Sequence, residues 1–212
     1  MSAPINRRNF IQTSSLAATF GFMGFSANAF PSPAGIAEDR INVLGPREGY
    51  SPSIGSLVSM MDWMRFVVLR QVEGMRQKDL DYLLDDNANS IGAMLFHLAA
   101  TDKWYQLHCF ENMAPDEAFE SPKFDKFRVA MELGDNGRAQ IKGNDLEFYK
   151  DIMQSTREET YAAFAKRDDA WLMEVDDKFP WGPTNNYCKW FHVCEHESNH
   201  NGQIKLIKSR IA

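Results

Sequence analysis

The chain has 212 residues, of which 44% are hydrophobic and 25% are charged, and this composition is typical of a globular protein with a substantial core. The formal net charge is −6, and the sequence has no cluster of Lys and Arg that would bind nucleic-acid phosphates. Three cysteines without a C-x-x-C pair exclude a disulfide framework, although a single disulfide remains compatible with the sequence.

Residues 1–29 have the three parts of an export signal. Arg7 and Arg8 form the positive region, residues 16–25 form a short apolar region, and residues 27–29 form an A-x-A cleavage site. The stretch NRRNFIQ resembles a twin-arginine motif, whereas the alternative is a disordered tail with chance arginines. We predict a twin-arginine-type signal peptide, the twin-arginine translocase as a partner during export, and a periplasmic protein. The apolar region is shorter than the ~20 residues that span a bilayer, so we expect no stable membrane anchor.

The segment that follows, residues 30–52, is rich in Pro and Gly and is interpreted as a linker or packed arm. Beyond it, apolar residues recur at helical spacing in four long segments. We predict helices over about 53–75, 90–110, 145–166 and 186–211.

The connections between these helices differ in length. Residues 112–144 form a long polar connection between the second and third helices, which predicts a crossover rather than a tight hairpin. Residues 171–187 are punctuated by Pro180, Gly182 and Pro183 and are predicted to be extended. The sequence therefore predicts an all-α fold, a four-helix bundle over residues 53–212 with a long crossover connection between the second and third helices.

The last predicted helix contains three of the five histidines, all within a stretch of nine residues. Because side chains at i and i+4 share a helix face, His196 and His200 can approach one metal ion, whereas the simpler alternative is a polar helix face. His192 and Gln203 extend the same stripe. His97 lies in the apolar stretch AMLFHLAA, where a buried imidazole needs a polar partner or a metal.

The segments NANSIGAMLFHLAATDKWYQ and WFHVCEHESNHNGQIKLIK resemble the two signature stretches of the DinB-like superfamily. The resemblance implies a four-helix bundle and a divalent metal ion, zinc or nickel, on His97, His196 and His200. Gln203 matches a glutamine of the family and is interpreted as a residue that supports the ligands or the fold, and the resemblance leaves open whether Gln203 and His192 are themselves ligands.

The same resemblance suggests an activity, because characterised DinB-like proteins include thiol-S-transferases that use low-molecular-weight thiols. It implies a metal-dependent transferase or hydrolase whose metal activates a thiol or a water, and the export signal adds that this enzyme is exported. The substrate is an unknown small molecule, and no residue stands out as a general base. The alternative is a non-catalytic metal-binding or scaffold protein. The acidic charge and the export signal argue against DNA repair, and a homodimer is compatible with the sequence.

Other polar and aromatic residues are expected to have different roles. His108 is about three helical turns from His97, and Cys194 points away from His196, so both are expected outside the site. Asp102 and Glu195 are candidates for orienting the ligands. The tryptophans are expected to form core or pocket wall: Trp63, Trp104, Trp171, Trp181 and Trp190.

Overall fold

The computed structural model describes residues 40–211. The predicted signal peptide and residues 30–39 of the predicted linker or arm lie outside the described residues. Within the rest of that arm, Ile41 is buried and the backbone N–H of Gly45 donates to Ser59 Oγ at 3.0 Å. The described end of the arm therefore packs against the first long helix.

The described chain is mostly helical, and the predicted all-α bundle is confirmed. Four long helices form the bundle, and each lies within a few residues of its predicted bounds: α1 (Pro52–Val72), α3 (Ile91–Phe110), α7 (Leu146–Phe164) and α9 (Asn186–Lys208). Shorter elements connect them: α2 (Gln77–Leu80), α4 (Pro115–Glu120), a 3₁₀ turn (Pro122–Phe124), α5 (Asp125–Glu132), α6 (Gly134–Gln140), α8 (Asp169–Met173), β1 (Val175–Asp176) and β2 (Thr184–Asn185).

Side-chain caps define where three of the long helices begin. Ser90 accepts a hydrogen bond from the backbone N–H of Ala93 at the start of α3, and Asp145 and Asn185 cap α7 and α9 in the same way. The start of α1 is capped from a distance, because Asp169 accepts hydrogen bonds from the backbone N–H groups of Ser53 and Ile54. These caps satisfy N–H groups that have no partner within a helix.

The connection between α3 and α7 is the predicted crossover, and it makes these two helices parallel. Gly92 meets Tyr149 near the start of both helices, and Lys103 pairs with Glu159 further along both. The connection is not a plain polar loop, however, because it contains α4, α5 and α6. Helices this short depend on tertiary packing for their stability, which here comes from Phe124 and other apolar side chains that are too sparse to give a helical pattern.

The segment before α9 is partly extended, as predicted. Strands β1 and β2 form a short antiparallel ladder in which Val175 pairs with Asn185 and Asp176 pairs with Thr184. Residues 171–173 differ from the prediction, because they belong to α8, whose N-cap is Asp168. Residues 177–183 form the tip of this hairpin. Its tip side chains Phe179 and Trp181 lie beside α9.

A buried ion network joins the four long helices at the middle of the bundle. Arg65 of α1 and Arg157 of α7 both donate to Asp102 of α3 and to Glu197 of α9. All four residues are at most 5% exposed. The network is electrically neutral, and it separates two apolar clusters of the core.

The described helices differ from membrane-spanning segments in length or in hydropathy. None of them is both long and apolar enough to cross a bilayer.

Candidate metal centre

Three histidines from two antiparallel helices converge at one side of the bundle. His97 comes from α3, whereas His196 and His200 come from successive turns of α9. The ring centroids lie 4.6 to 5.0 Å apart, and one potential ligand atom of each ring lies within 4.8 Å of the other two. The structure therefore brings together the three predicted metal ligands, while the binding of a metal by them stays a prediction.

The crossover connection fixes the orientation of His97. Its Nδ1 lies 2.9 Å from the carbonyl oxygen of Ala130 in α5. Because a carbonyl oxygen can only accept a hydrogen bond, the ring proton lies on Nδ1 and the lone pair of a neutral ring lies on Nε2. This hydrogen bond also gives the imidazole of His97 the polar partner that a buried ring in an apolar stretch needs.

Gln203 orients His200 in the same manner. Its Oε1 lies 2.8 Å from Nδ1 of His200, so Nδ1–H donates and Nε2 is left as the nitrogen with a lone pair. Hydrogen bonds of this kind are usual for histidines that bind metals, because they select the tautomer and hold the ring. The expectation from sequence that Gln203 supports a ligand agrees with this contact.

The contact between His97 and His196 tests whether a metal suits the site. Their Nε2 atoms lie 2.8 Å apart, and His97 Nε2 has no proton, so this contact requires a proton or a cation between the rings. In a tetrahedral site with bonds of 2.0–2.1 Å, two ligand nitrogens lie about 3.3 Å apart. Small movements of the rings would therefore admit a divalent ion, and three imidazoles are a donor set that zinc and nickel accept.

The surroundings keep these imidazoles neutral. Burial and, to a smaller extent, the neighbouring His200 lower the pKa of His97 to about 4, against the opposing effect of its backbone hydrogen bonds. Burial and the nearby histidines lower the pKa of His196 to about 3. The pKa of His200 is lowered by burial as well. Neutral rings with free lone pairs are the form that binds a metal.

His192 lies beside the three histidines and outside their cluster. Its ring centroid is 5.4 Å from that of His196, and its Nδ1 lies 3.0 Å from the hydroxyl of Tyr105. Burial raises the pKa of Tyr105, so the hydroxyl keeps its proton and donates to Nδ1. The His192 ring also makes a T-shaped contact with the ring of Trp181, and the two ring centroids are 4.9 Å apart.

Two acidic candidates from the sequence are placed elsewhere. Asp102 does not orient a histidine, because its carboxylate is bound by Arg65 and Arg157 in the buried ion network. Glu195 is exposed on another side of α9, on a shallow apolar groove that also contains Cys194. The three cysteines are free thiols.

Sequence reasoning missed a second polar cluster along the same two helices. The ammonium of Lys189 in α9, 3% exposed, donates to His108 Nε2 and to Asp176 Oδ2, both at 2.9 Å. It also lies over the ring of Phe179 at 4.7 Å. Because Lys189 lies three residues before His192, the sequence could have placed it on the same face of α9. Its partner Asp176 could not be predicted in this way, because Asp176 comes from the hairpin.

Comparisons with known proteins agree with this fold. A family model described as Mycothiol-S-transferase matches residues 56–212. Among solved structures, a crystal structure of a conserved protein from Enterococcus faecalis is similar, with a TM-score of 0.55 and 13% sequence identity over 72% of this chain and 92% of that chain. At this identity the likeness shows the fold alone. A comparison with curated proteins gave no match.

Proposed function

The chain belongs to the mycothiol-S-transferase family of the DinB-like superfamily, and on that premise we propose that it is an exported, metal-dependent thiol-S-transferase. His97, His196 and His200 would hold a divalent ion, zinc or nickel. The substrate would be a low-molecular-weight thiol of the kind that the family name indicates, together with an electrophile that accepts the sulfur.

The convergence of the three rings is the observation that carries this proposal. Each of His97 and His200 gives one ring proton to a fixed acceptor and directs the other nitrogen away from it. A structural metal site commonly has four protein ligands, whereas a catalytic one has three and an open position. Three converging imidazoles match the catalytic pattern.

A metal on three neutral imidazoles keeps its positive charge and lowers the pKa of a bound thiol or water toward neutrality. The residues of this chain would hold the ring nitrogens in place through Ala130 and Gln203. His192 would lie one helical turn along α9 from His196, beside the reacting groups. In the reaction, the sulfur forms a bond to an electrophilic carbon, the leaving group departs with its electron pair, and the thiol proton passes to solvent.

Export is the second part of the proposal, and it rests on the sequence of residues 1–29. The twin-arginine route carries folded proteins, so a metal bound in the cytoplasm would accompany the protein. Small thiols are mainly cytoplasmic, so the exported enzyme would meet either exported thiols or thiol conjugates. Location is tested by fractionating cells that produce the full chain and its Arg7→Lys, Arg8→Lys variant.

Cobalt substitution separates the enzyme from a non-catalytic metal-binding protein. In the enzyme, azide or a small thiol such as cysteine would enter an open position and shift the visible spectrum of the cobalt protein. Turnover of monochlorobimane with mycothiol, glutathione or cysteine would then identify the thiol. A silent spectrum, together with a large loss of thermal stability on chelation, would instead indicate that the histidines only stabilise the fold.

A further inference from the structure

The tip of the β1–β2 hairpin carries an aromatic side chain toward the candidate metal centre. Trp181 is 57% exposed, yet its ring lies 4.9 Å from that of His192 and 5.0 Å from that of Phe179. His192 in turn lies 5.4 Å from His196. A continuous row of rings therefore leads from a predicted ligand to an exposed indole.

Hydrogen bonds at the base and at the tip of the hairpin define the position of Trp181. Asp176 at its base accepts from the buried ammonium of Lys189 at 2.9 Å. At its tip, the backbone N–H of Gly182 donates to the carbonyl of Phe179 at 2.8 Å. Asn186, which begins α9, donates its backbone N–H to the carbonyl of Glu174 at 3.2 Å. The contacts of Asp176 and Glu174 hold the base of the hairpin against α9, and the Gly182–Phe179 hydrogen bond closes the turn at its tip.

The charged and aromatic groups around Trp181 indicate the chemistry of a ligand that would bind there. The ammonium of Lys189 is 3% exposed, donates to His108 and Asp176 and lies over the ring of Phe179, so it is not available to an anionic substrate. The indole of Trp181 beside His192 is exposed instead, and an indole binds flat, uncharged rings by stacking or edge-to-face contact.

We propose that Trp181, placed by the hairpin beside His192, is a specificity-determining residue that binds a flat, uncharged aromatic group on the electrophile. This inference rests on the proposed thiol transfer, and it deepens it by naming the class of the acceptor. The thiol would approach the histidines, and the aromatic group of the acceptor would lie against the indole, about one helical turn away.

Binding of a product conjugate tests the inference without turnover. The probe is S-bimanyl-cysteine, which carries a flat ring system, and its affinity for the zinc-loaded protein is measured by energy transfer from tryptophan to bimane. We expect Trp181→Ala to weaken binding by about tenfold or more, and Trp181→Phe to retain most of the affinity. S-carboxymethyl-cysteine, which has no ring, serves as the comparison ligand, and Trp181→Ala should change its affinity little.

Phe191→Ala is the matched control, because Phe191 is similarly exposed, at 51%, and lies on α9 at the apolar groove rather than beside the histidines. It should bind both conjugates as the wild type does. Equal affinity of wild type and Trp181→Ala for the bimane conjugate would overturn the inference, as would no binding of it by the wild type.

Kinetics with monochlorobimane distinguish this failure from failure of the proposed function. If thiol transfer occurs, Trp181→Ala should raise KM for monochlorobimane at least several-fold while kcat and the zinc content stay near the wild-type values. An unchanged KM would overturn the inference and leave thiol transfer intact. If bimane binding depends on Trp181 but no thiol is turned over, the result would support the aromatic-binding role of Trp181 and contradict the proposed thiol transfer.

Discussion

The Nε2 atoms of His97 and His196 lie 2.8 Å apart, although 99 residues separate them in the chain. The contact exists because α3 and α9 run antiparallel and present the two rings at the same level. On the α3 side of the contact, His97 is held by the carbonyl of Ala130 in the crossover. The site therefore depends on three segments of the chain that are distant in sequence.

The hydrogen bond from His200 to Gln203 should matter for metal affinity. We expect Gln203→Ala to weaken the binding of zinc by about 10- to 100-fold, because Nδ1 of His200 would lose its acceptor and the ring its fixed tautomer. Competition with a zinc chelator measures the change. Gln154→Ala is the control, because Gln154 binds Glu158 on the surface of α7; equal losses in both variants would argue against a role of Gln203 at the site.

The metal-free protein should be sensitive to mild acid. An unfolded histidine has a pKa of about 6.5, whereas burial and neighbouring histidines lower the pKa of His97 to about 4 and that of His196 to about 3. Between these values the unfolded chain binds more protons than the folded protein, so the free energy of unfolding should decrease as the pH falls from about 6.5 toward 4.

Urea unfolding of chelator-treated protein at pH 7 and pH 5 measures this effect. In the His97→Gln variant one of the titrating groups is absent, while all carboxylates are retained. Its stability should therefore decrease less between the two pH values than that of the wild type. Equal decreases would show that His97 is not held neutral by the fold.

The helices were predictable from the sequence, whereas several partners of the key residues were not. Apolar spacing located α1, α3, α7 and α9 because each buries one face along its whole length. The pairing of His97 with His196 and His200 came from a resemblance, since spacing within one helix says nothing about another helix. Residues 112–144 looked like a polar connection because α4, α5 and α6 are short and bury only a few side chains each.

The ion network shows the same limit. Arg65 and Arg157 have the sequence context of ordinary helical surface residues, and their partner Glu197 lies 132 and 40 positions away from them. From the sequence alone, Asp102 is as plausible a partner of the histidines as of the arginines. Burial of a charge depends on which faces of four helices meet, and that is a property of the packed bundle.

Arg157 should contribute strongly to stability. We expect Arg157→Met to destabilise the protein by about 3–5 kcal/mol, because Asp102 and Glu197 would share a single guanidinium while remaining buried. Lys103→Met removes a more exposed ion pair with Glu159 and should cost about 0–1 kcal/mol. Urea unfolding compares the two, and similar small losses would show that the network is not needed for stability.

Two helical glycines should respond oppositely to the same substitution. A Cβ at Gly92 would lie 2.6 Å from the hydroxyl oxygen of Tyr149, so Gly92→Ala should push α3 from α7 and destabilise the protein by about 1–3 kcal/mol. A Cβ at Gly202 of α9 would meet nothing within 4 Å, so Gly202→Ala should stabilise by roughly 0.5–1 kcal/mol. Thermal unfolding measures both, and changes of the same sign would contradict this packing.

The metal content of purified protein tests the central claim most directly. Elemental analysis should find about one zinc or nickel ion per wild-type chain and per His192→Ala chain, and close to none in His97→Ala, His196→Ala and His200→Ala. Circular dichroism of each variant confirms that the helices are retained. Metal in the His97→Ala protein at the wild-type level would contradict a site shared by α3 and α9.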